Sequence, residues 1–312
     1  MKRHEMWRMQ YRSRRYMEHL SEEELEQRVR DVVLNQMVLT EENKIGLPPI
    51  EKDGEYWMVM WTHLLEEFSI RYGLYPAGFD RGFIKDLKTT DPRLPLAPKA
   101  CEAVKRLQIA PNKFVFKYNN RKWLEQTYKK GIIRISPATF YKDPSLNPAV
   151  HDEELELYIQ PHPSEIKLEV IDHKTGKSKG FINPVGSKIT RQTETNYYVY
   201  CLSSALTPRL FLDFDADACL IIKKPNYFFE KVLDAFEKQN PGWVGISKNV
   251  IYLDPLNSLL KQIDVFSCKH FRFSYQKEVR LIWLPPKIVK ELDHQYFELG
   301  SLEDCCEFIE VN

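Results

Sequence analysis

The sequence predicts an α+β protein, with a helical N-terminal third followed by a longer region of short strands and interspersed helices. Three observations carry this expectation. Residues 1–110 combine capping signals with apolar residues at helical spacing. After Pro111 the texture changes to short runs of β-branched and aromatic residues, such as Phe114–Tyr118, Ile132–Ser136, Tyr197–Leu202, Ala218–Lys223 and Val279–Leu284. Between the two, residues 76–98 are rich in Pro, Gly and Asp-Pro, the composition of a loop or linker. The boundary is placed near Ala110-Pro111, which divides the chain into a helical region, 1–110, and a second domain, 111–312.

Ser21-Glu22-Glu23-Glu24 reads as a capping box, and Leu25, Val29, Val32 and Val33 follow at near-helical spacing. Glu55–Tyr72 is apolar around much of its girth, so this helix is expected to be buried on several sides. Lys99–Leu107 predicts a short helix. Asn120–Lys129 predicts another, ended by Gly131. Glu165–Ile171 and Lys179–Ile182 flank a natural hairpin turn at residues 172–176. His151–Glu156 reads as a solvated, acidic helix start. Further along, Tyr227–Lys238 and Leu256–Phe266 read as helices, and Val250–Leu253 as a strand.

Composition narrows the class. Lys and Arg number 45 against 44 Asp and Glu, so global charge predicts no partner. No apolar run approaches the roughly 20 residues that cross a bilayer. The basic start, Met1 to Arg8, has no apolar stretch behind it and is no secretory signal. The six cysteines are scattered without a C-x-x-C pair. Reduced thiols in a cytoplasmic protein with no membrane partner are the expectation.

The most informative stretch is Phe273 to Leu281. If it is extended, Gln276 and Glu278 lie two residues apart and face one side together. A carboxylate there can stabilise an oxocarbenium-like transition state by accepting a hydrogen bond from a ribose hydroxyl. An amide beside it can position a nucleophile without titrating.

These residues carry a resemblance. ADP-ribosyltransferases of the Arg–Ser–Glu type end with Q-x-E or E-x-E, begin with a cation on the first strand, and place a Ser-containing strand end between them. Lys117, Ser203-Ser204 and Gln276-Lys277-Glu278 stand in that order here. The chain is also similar to the bacterial domain-of-unknown-function 2971 family. The matching pieces are FKY at 116–118, GIIRIS at 131–136, FYKDP at 140–144, CLS at 201–203 and YQKEVR at 275–280. Four positions depart from these patterns. Lys117 replaces the usual Arg or His, Lys142 replaces Asn, and Phe211 and Phe214 stand where Trp and Tyr are common.

The resemblance implies a split β-sandwich core of the ADP-ribosyltransferase type, preceded by the helical region, with NAD as substrate. In that reading Glu278 stabilises the ribosyl cation and Gln276 orients the acceptor. Lys117 holds the NAD phosphates or a ribose, with Tyr118 beside it on the first strand, and Arg134 adds phosphate contact. Ser203 braces the glutamate or the nicotinamide ribose, Phe214 packs on nicotinamide, and Arg280 pairs with a nearby carboxylate. It also implies a toxin or phage-defence effector that modifies a macromolecule and is held by an antitoxin protein. The N-terminal run of Arg3, Arg8, Arg12, Arg14 and Arg15, interleaved with Trp7, Tyr11 and Tyr16, favours nucleic acid such as RNA over protein as acceptor. Water as acceptor stays open.

Two other readings compete. Asp172-His173-Lys174 matches half of a metal-dependent nuclease site, which Asp143 or Asp152 would complete. The basic aromatic arm alone would suit a non-catalytic nucleic-acid or partner-binding module.

Overall fold

A computed structural model describes residues 1–74, 97–109 and 113–311. The linker expected over 76–98 lies outside them but for its last two residues, and so does the boundary expected at Ala110-Pro111. The fold is mixed α+β with an antiparallel sheet. Among the described residues no helix is long and apolar enough to cross a membrane.

Three helices form the N-terminal part: α1 (Arg3–Ser13), α2 (Glu22–Gln36) and α3 (Glu55–Tyr72). Ser21 and Glu24 make the expected reciprocal cap on α2. Trp57, Met60, Leu64 and Phe68 of α3 pack with Tyr11, Tyr16, Leu25 and Val29 in one core. Helix α3 also buries Glu66 and Glu67, and their charges decide the fate of the basic arm. Arg8 and Arg12 both pair with Glu66, while Arg15 and Arg71 pair with Glu67. Trp7, Tyr11 and Tyr16 are buried. The aromatic side of the expected nucleic-acid arm is therefore packed on α3, and Arg8, Arg12 and Arg15 lie at the surface paired with its glutamates. A short ladder, β1 (Val38–Leu39) with β2 (Ile45–Gly46), and α4 (Pro98–Leu107) follow.

The remaining strands are β3 (Val115–Asn119), β4 (Ile132–Pro137), β5 (Glu156–Ile159), β6 (Leu168–Ile171), β7 (Ser178–Ile182), β8 (Ile189–Gln192) and β9 (Tyr198–Ser203). After them come β10 (Ala218–Ile222), β11 (Val244–Asn249), β12 (Ile251–Leu253), β13 (Cys268–His270), β14 (Glu278–Leu284), β15 (Gln295–Glu298) and β16 (Cys306–Glu310). Helices α5 (Arg121–Lys130), α6 (Pro208–Asp213) and α7 (Pro225–Gln239) are interspersed. Gly131 ends α5 with φ +67°, and a Cβ there would meet the Gly300 carbonyl oxygen at 2.2 Å, so only glycine fits.

The main sheet runs β11-β14-β9-β3-β10-β16. It divides at β9. One edge of β9 pairs with β14 throughout, from Glu278 opposite Ser203 to Trp283 opposite Tyr198. The other edge meets β3 only at Phe116 opposite Ser203, and β4 only at Ser136 and Pro137. Residues 200–202 of β9 have neither neighbour on that side, and the sheet forks there. Alternation along the strands feeds two cores. Tyr200, Leu202, Leu220 and Leu281 pack under α7, and Phe116, Tyr118 and Ile221 pack against α4 and α6.

Two sequence expectations are corrected. Leu256–Phe266 is no helix and contains only a 3-10 turn at Leu260–Gln262. Its apolar residues serve two separate cores, Leu256 with the N-terminal helices and Ile263 and Val265 with Ile159 and Leu253. A single helix face cannot reach both. Residues 151–156 form no helix either, and Asp152 and Glu154 are buried there instead of solvated. The hairpin of β6 and β7 forms as expected.

The helical part grips the segment just before β14. Arg28 makes a two-pronged pair with Asp254 at 2.7 and 2.8 Å, both buried. Asn35 donates to the carbonyls of Phe271 and Arg272 and accepts from the Tyr275 amide at 3.0 Å. Arg28→Ala leaves a buried carboxylate without its counter-charge and is expected to destabilise the fold by about 3–5 kcal/mol. A lower urea midpoint at neutral pH checks this, and an unchanged midpoint would show the pair contributes nothing.

Candidate active site

The fork determines what surrounds it. With no strand beside residues 200–202, the Cys201 carbonyl needs another donor. Lys117 Nζ supplies it at 2.8 Å and lies 4.5 Å from the centre of the Tyr200 ring. Lys117 makes no ion pair among the described residues, and burial pulls its ammonium pKa below the ordinary value. The neighbouring Tyr118 donates to the Ala205 carbonyl at 2.8 Å and accepts from the Thr207 amide.

Register places Ser203 beside Phe116 on one side and Glu278 on the other. Strands β3, β9 and β14 thus bring Lys117, Ser203 and Glu278 to adjacent positions around the fork. Ser203 Oγ donates to the Gln276 carbonyl at 2.7 Å and accepts from the Ala205 amide. It fastens the segment leading into β14 and makes no hydrogen bond to Glu278 itself.

The extended geometry expected for Gln276-Lys277-Glu278 does not occur. Phe271–Gln276 is a 3-10 segment, Lys277 is left-handed at φ +46°, and β14 begins only at Glu278. Gln276 and Glu278 nevertheless line the same cavity. The Gln276 amide is already engaged, donating to the Ala149 carbonyl at 2.7 Å. It holds the wall formed by residues 146–150.

Glu278 sits in a buried charge cluster. Its Oε1 accepts from Arg280 Nε at 2.6 Å and its Oε2 from Lys269 Nζ at 3.1 Å. Arg280 also pairs with Glu154 at 2.7 Å. Lys269 lies 3.5 Å from Asp152 and 3.8 Å from Glu154. Burial alone would raise the Glu278 pKa, but Arg280 and Lys269 override it and hold the carboxyl far below its usual range. Glu154 moves the other way, because burial outweighs the same two cations there.

The cavity in the fork has a volume of about 220 Å³. All seven residues picked from the sequence line it: Lys117, Tyr118, Arg134, Ser203, Phe214, Gln276 and Glu278. Arg134 is exposed, with its guanidinium 5.2 Å from the Phe140 ring centre. Phe214 is half-buried, whereas Phe211 packs in the core edge-on to Tyr118 at 4.9 Å.

Comparison with protein families, curated proteins and solved structures finds no match for this chain. The functional reading therefore rests on the geometry.

Sequence reasoning missed Lys269, Glu154 and the Phe140–Tyr141 wall. One signal was available for the acids. Arg280 lies inside an apolar strand, and a buried guanidinium requires buried carboxylates. Arg280 does pair with two, Glu278 and Glu154. Nothing in the local sequence marks Lys269.

The nuclease residues fare differently. Asp172 Oδ1 caps the hairpin turn through the amides of Lys174 and Thr175, and its Oδ2 pairs with Lys179. The hairpin is exposed and Asp172 does not line the cavity. Asp152 is committed to Lys269, and Asp143 is exposed with its Oδ1 on the Ser145 amide. Among the described residues no group of three or more His, Cys, Asp or Glu is placed to hold a metal ion.

The cluster carries a pH signature. The depressed Glu278 pKa contributes stability that is fully present above the unfolded value of about 4.3. That contribution is lost as pH falls from there toward the folded value. Urea midpoints measured from pH ~6 to ~3 are expected to drop more steeply for the wild type than for Glu278→Gln. Parallel curves would mean that the carboxylate is not held ionised.

Proposed function

We propose that this chain cleaves the nicotinamide–ribose bond of NAD and passes on the ADP-ribose, with an ADP-ribosyltransferase-like core built around the fork. The observation that carries the reading is the meeting of Lys117, Ser203 and Glu278 from three adjacent strands around one cavity. The resemblance in the sequence named the same three positions in the same order.

The chemistry follows from charge. As the bond to nicotinamide lengthens, positive charge builds on the ribose. A carboxylate that accepts a hydrogen bond from a ribose hydroxyl stabilises that charge more in the transition state than in the ground state. Glu278 suits this task because Arg280 and Lys269 keep it ionised. Each of its oxygens retains a lone pair beyond those two bonds. The leaving group needs no proton, since nicotinamide departs neutral with the bonding electrons.

The lining divides the substrate. Phe140, Tyr141 and Phe214 offer aromatic surface for a flat ring, while Lys117 and Arg134 supply positive charge for a diphosphate. About 220 Å³ lies below the roughly 300–1,000 Å³ of pockets that enclose a drug-sized ligand. One half of the dinucleotide enters, and the adenosine half stays toward Arg134 at the surface. In this scheme Gln276 positions the wall, Ser203 braces the start of β14, and Tyr118 holds the 205–207 turn. Consumption of NAD or marking of a macromolecule would suit a toxin or phage-defence effector held by an antitoxin, and the proposal extends to that role.

Glu278→Gln is expected to slow nicotinamide release from NAD by about 10²–10³-fold, the scale for removing one preorganised electrostatic group. Circular dichroism should show the fold retained. Because Glu278 stays ionised, the wild-type rate should show no acid limb from this group between pH ~5 and ~8. A variant as fast as the wild type would sink the proposal.

A further inference from the structure

We infer that the acceptor at this site is water, so that the chain hydrolyses NAD to ADP-ribose and nicotinamide and does not label a macromolecule. This inference rests on NAD cleavage as the reading of the cavity and specifies what takes the ribose.

The argument starts from access. An acceptor must bring its nucleophilic atom to roughly 3–3.5 Å from the anomeric carbon. That carbon lies beside Glu278, whose side chain is only 5% exposed. Gln276 and Ser203, which flank it, are each 3% exposed. With one half of the dinucleotide filling a cavity of about 220 Å³, little room remains among the described residues for a protein side chain or a nucleobase to reach that carbon. Water needs a void of only roughly 10–15 Å³.

The wall that borders the site is built into the fold. The Asn147 side chain accepts from the Ala149 amide at 2.8 Å, and its carbonyl accepts from the amides of Val150 and His151. Gln276 holds the Ala149 carbonyl from the cavity side. The Asp152 amide donates to the Tyr141 carbonyl at 2.9 Å, and its carboxylate joins Lys269. The wall is thus fastened at its middle and at its C-terminal end. Behind it, Asn35 fixes the 271–275 segment from the helical part. The residue expected to orient an acceptor spends its amide on holding this wall.

Four arginines of the arm are already paired with carboxylates of the protein. Arg8, Arg12 and Arg15 are paired with the glutamates of α3, and Arg14 with Glu165. Net charge is +1.

The step balances without a further reactant. The bond between the anomeric carbon and the ring nitrogen breaks, and both electrons go to the nitrogen, quenching its positive charge. The water oxygen bonds to the anomeric carbon and loses one proton to solvent. NAD and water give ADP-ribose, nicotinamide and a proton. Glu278, held ionised, acts through its charge and not as the base.

The experiment incubates the full chain with NAD labelled in its adenosine half, alone or with cell lysate, purified RNA or a protein mixture. Nicotinamide and free ADP-ribose are expected in equal amounts in every tube. Acid-precipitable label should stay at the level of a Glu278→Gln control. Methanol, small enough to enter, should divert product to the methyl glycoside, while agmatine, a mimic of the arginine side chain, should not be modified. Label that accumulates on a macromolecule in step with nicotinamide, or modified agmatine, would overturn water as acceptor and leave NAD cleavage standing. Absence of nicotinamide release from every tube would remove the cleavage reading, and this inference with it.

Discussion

Beneath the start of β14, Lys269 and Arg280 hold three carboxylates, those of Glu278, Glu154 and Asp152, in a space with almost no solvent. The cluster joins residues 152–154 to the distant strands β13 and β14. Removing one partner from such a set strands a buried charge, which costs about 3–5 kcal/mol. Yet packed apolar residues in the same space are often neutral or better for stability. What apolar residues cannot do is keep a carboxylate ionised at the edge of a cavity. The cluster does this for Glu278, whereas burial outweighs the same cations at Glu154 and raises its pKa.

The fork in the sheet supplies the other half of the site. A continuous sheet would satisfy every carbonyl of β9 and leave no room beside it. By meeting β3 at one end and β4 at the other, β9 leaves the Cys201 carbonyl to Lys117 and opens the space that the aromatic wall closes. Lys117 therefore does two jobs at once. It satisfies a backbone group that would otherwise be unpaired, and it places a positive charge on the cavity lining.

The N-terminal helices are a buttress to this arrangement. Asn35 on α2 holds the carbonyls of Phe271 and Arg272 and the Tyr275 amide, and the Trp57 ring stacks on Phe271 at 6.0 Å. The segment that precedes Glu278 is consequently fixed from the helical side by Asn35 and from the sheet side by Ser203. A segment held on both sides keeps Gln276 on its wall and Glu278 in its cluster.

Local pattern was enough for much of the architecture. The reciprocal cap at Ser21 and Glu24, the glycine stop at Gly131 and the buried helix over Glu55–Tyr72 depend on neighbouring residues, and the sequence determined them. So did most strand positions, through alternation and β-branched runs. The seven site residues belong to short motifs, and they line one cavity because those motifs lie on or beside strands that meet at the fork. Long-range electrostatics and packing lay outside that reach. Residues 151–156 look like a solvated acidic turn until β13 and β14 place Lys269 and Arg280 beneath them. The arginines of α1 look free until α3 presents Glu66 and Glu67. Leu256–Phe266 has helical spacing, but two cores compete for its apolar residues. Burial, charge pairing and the register that opens the fork depend on residues from 54 to 126 positions apart, so only the tertiary structure could decide them.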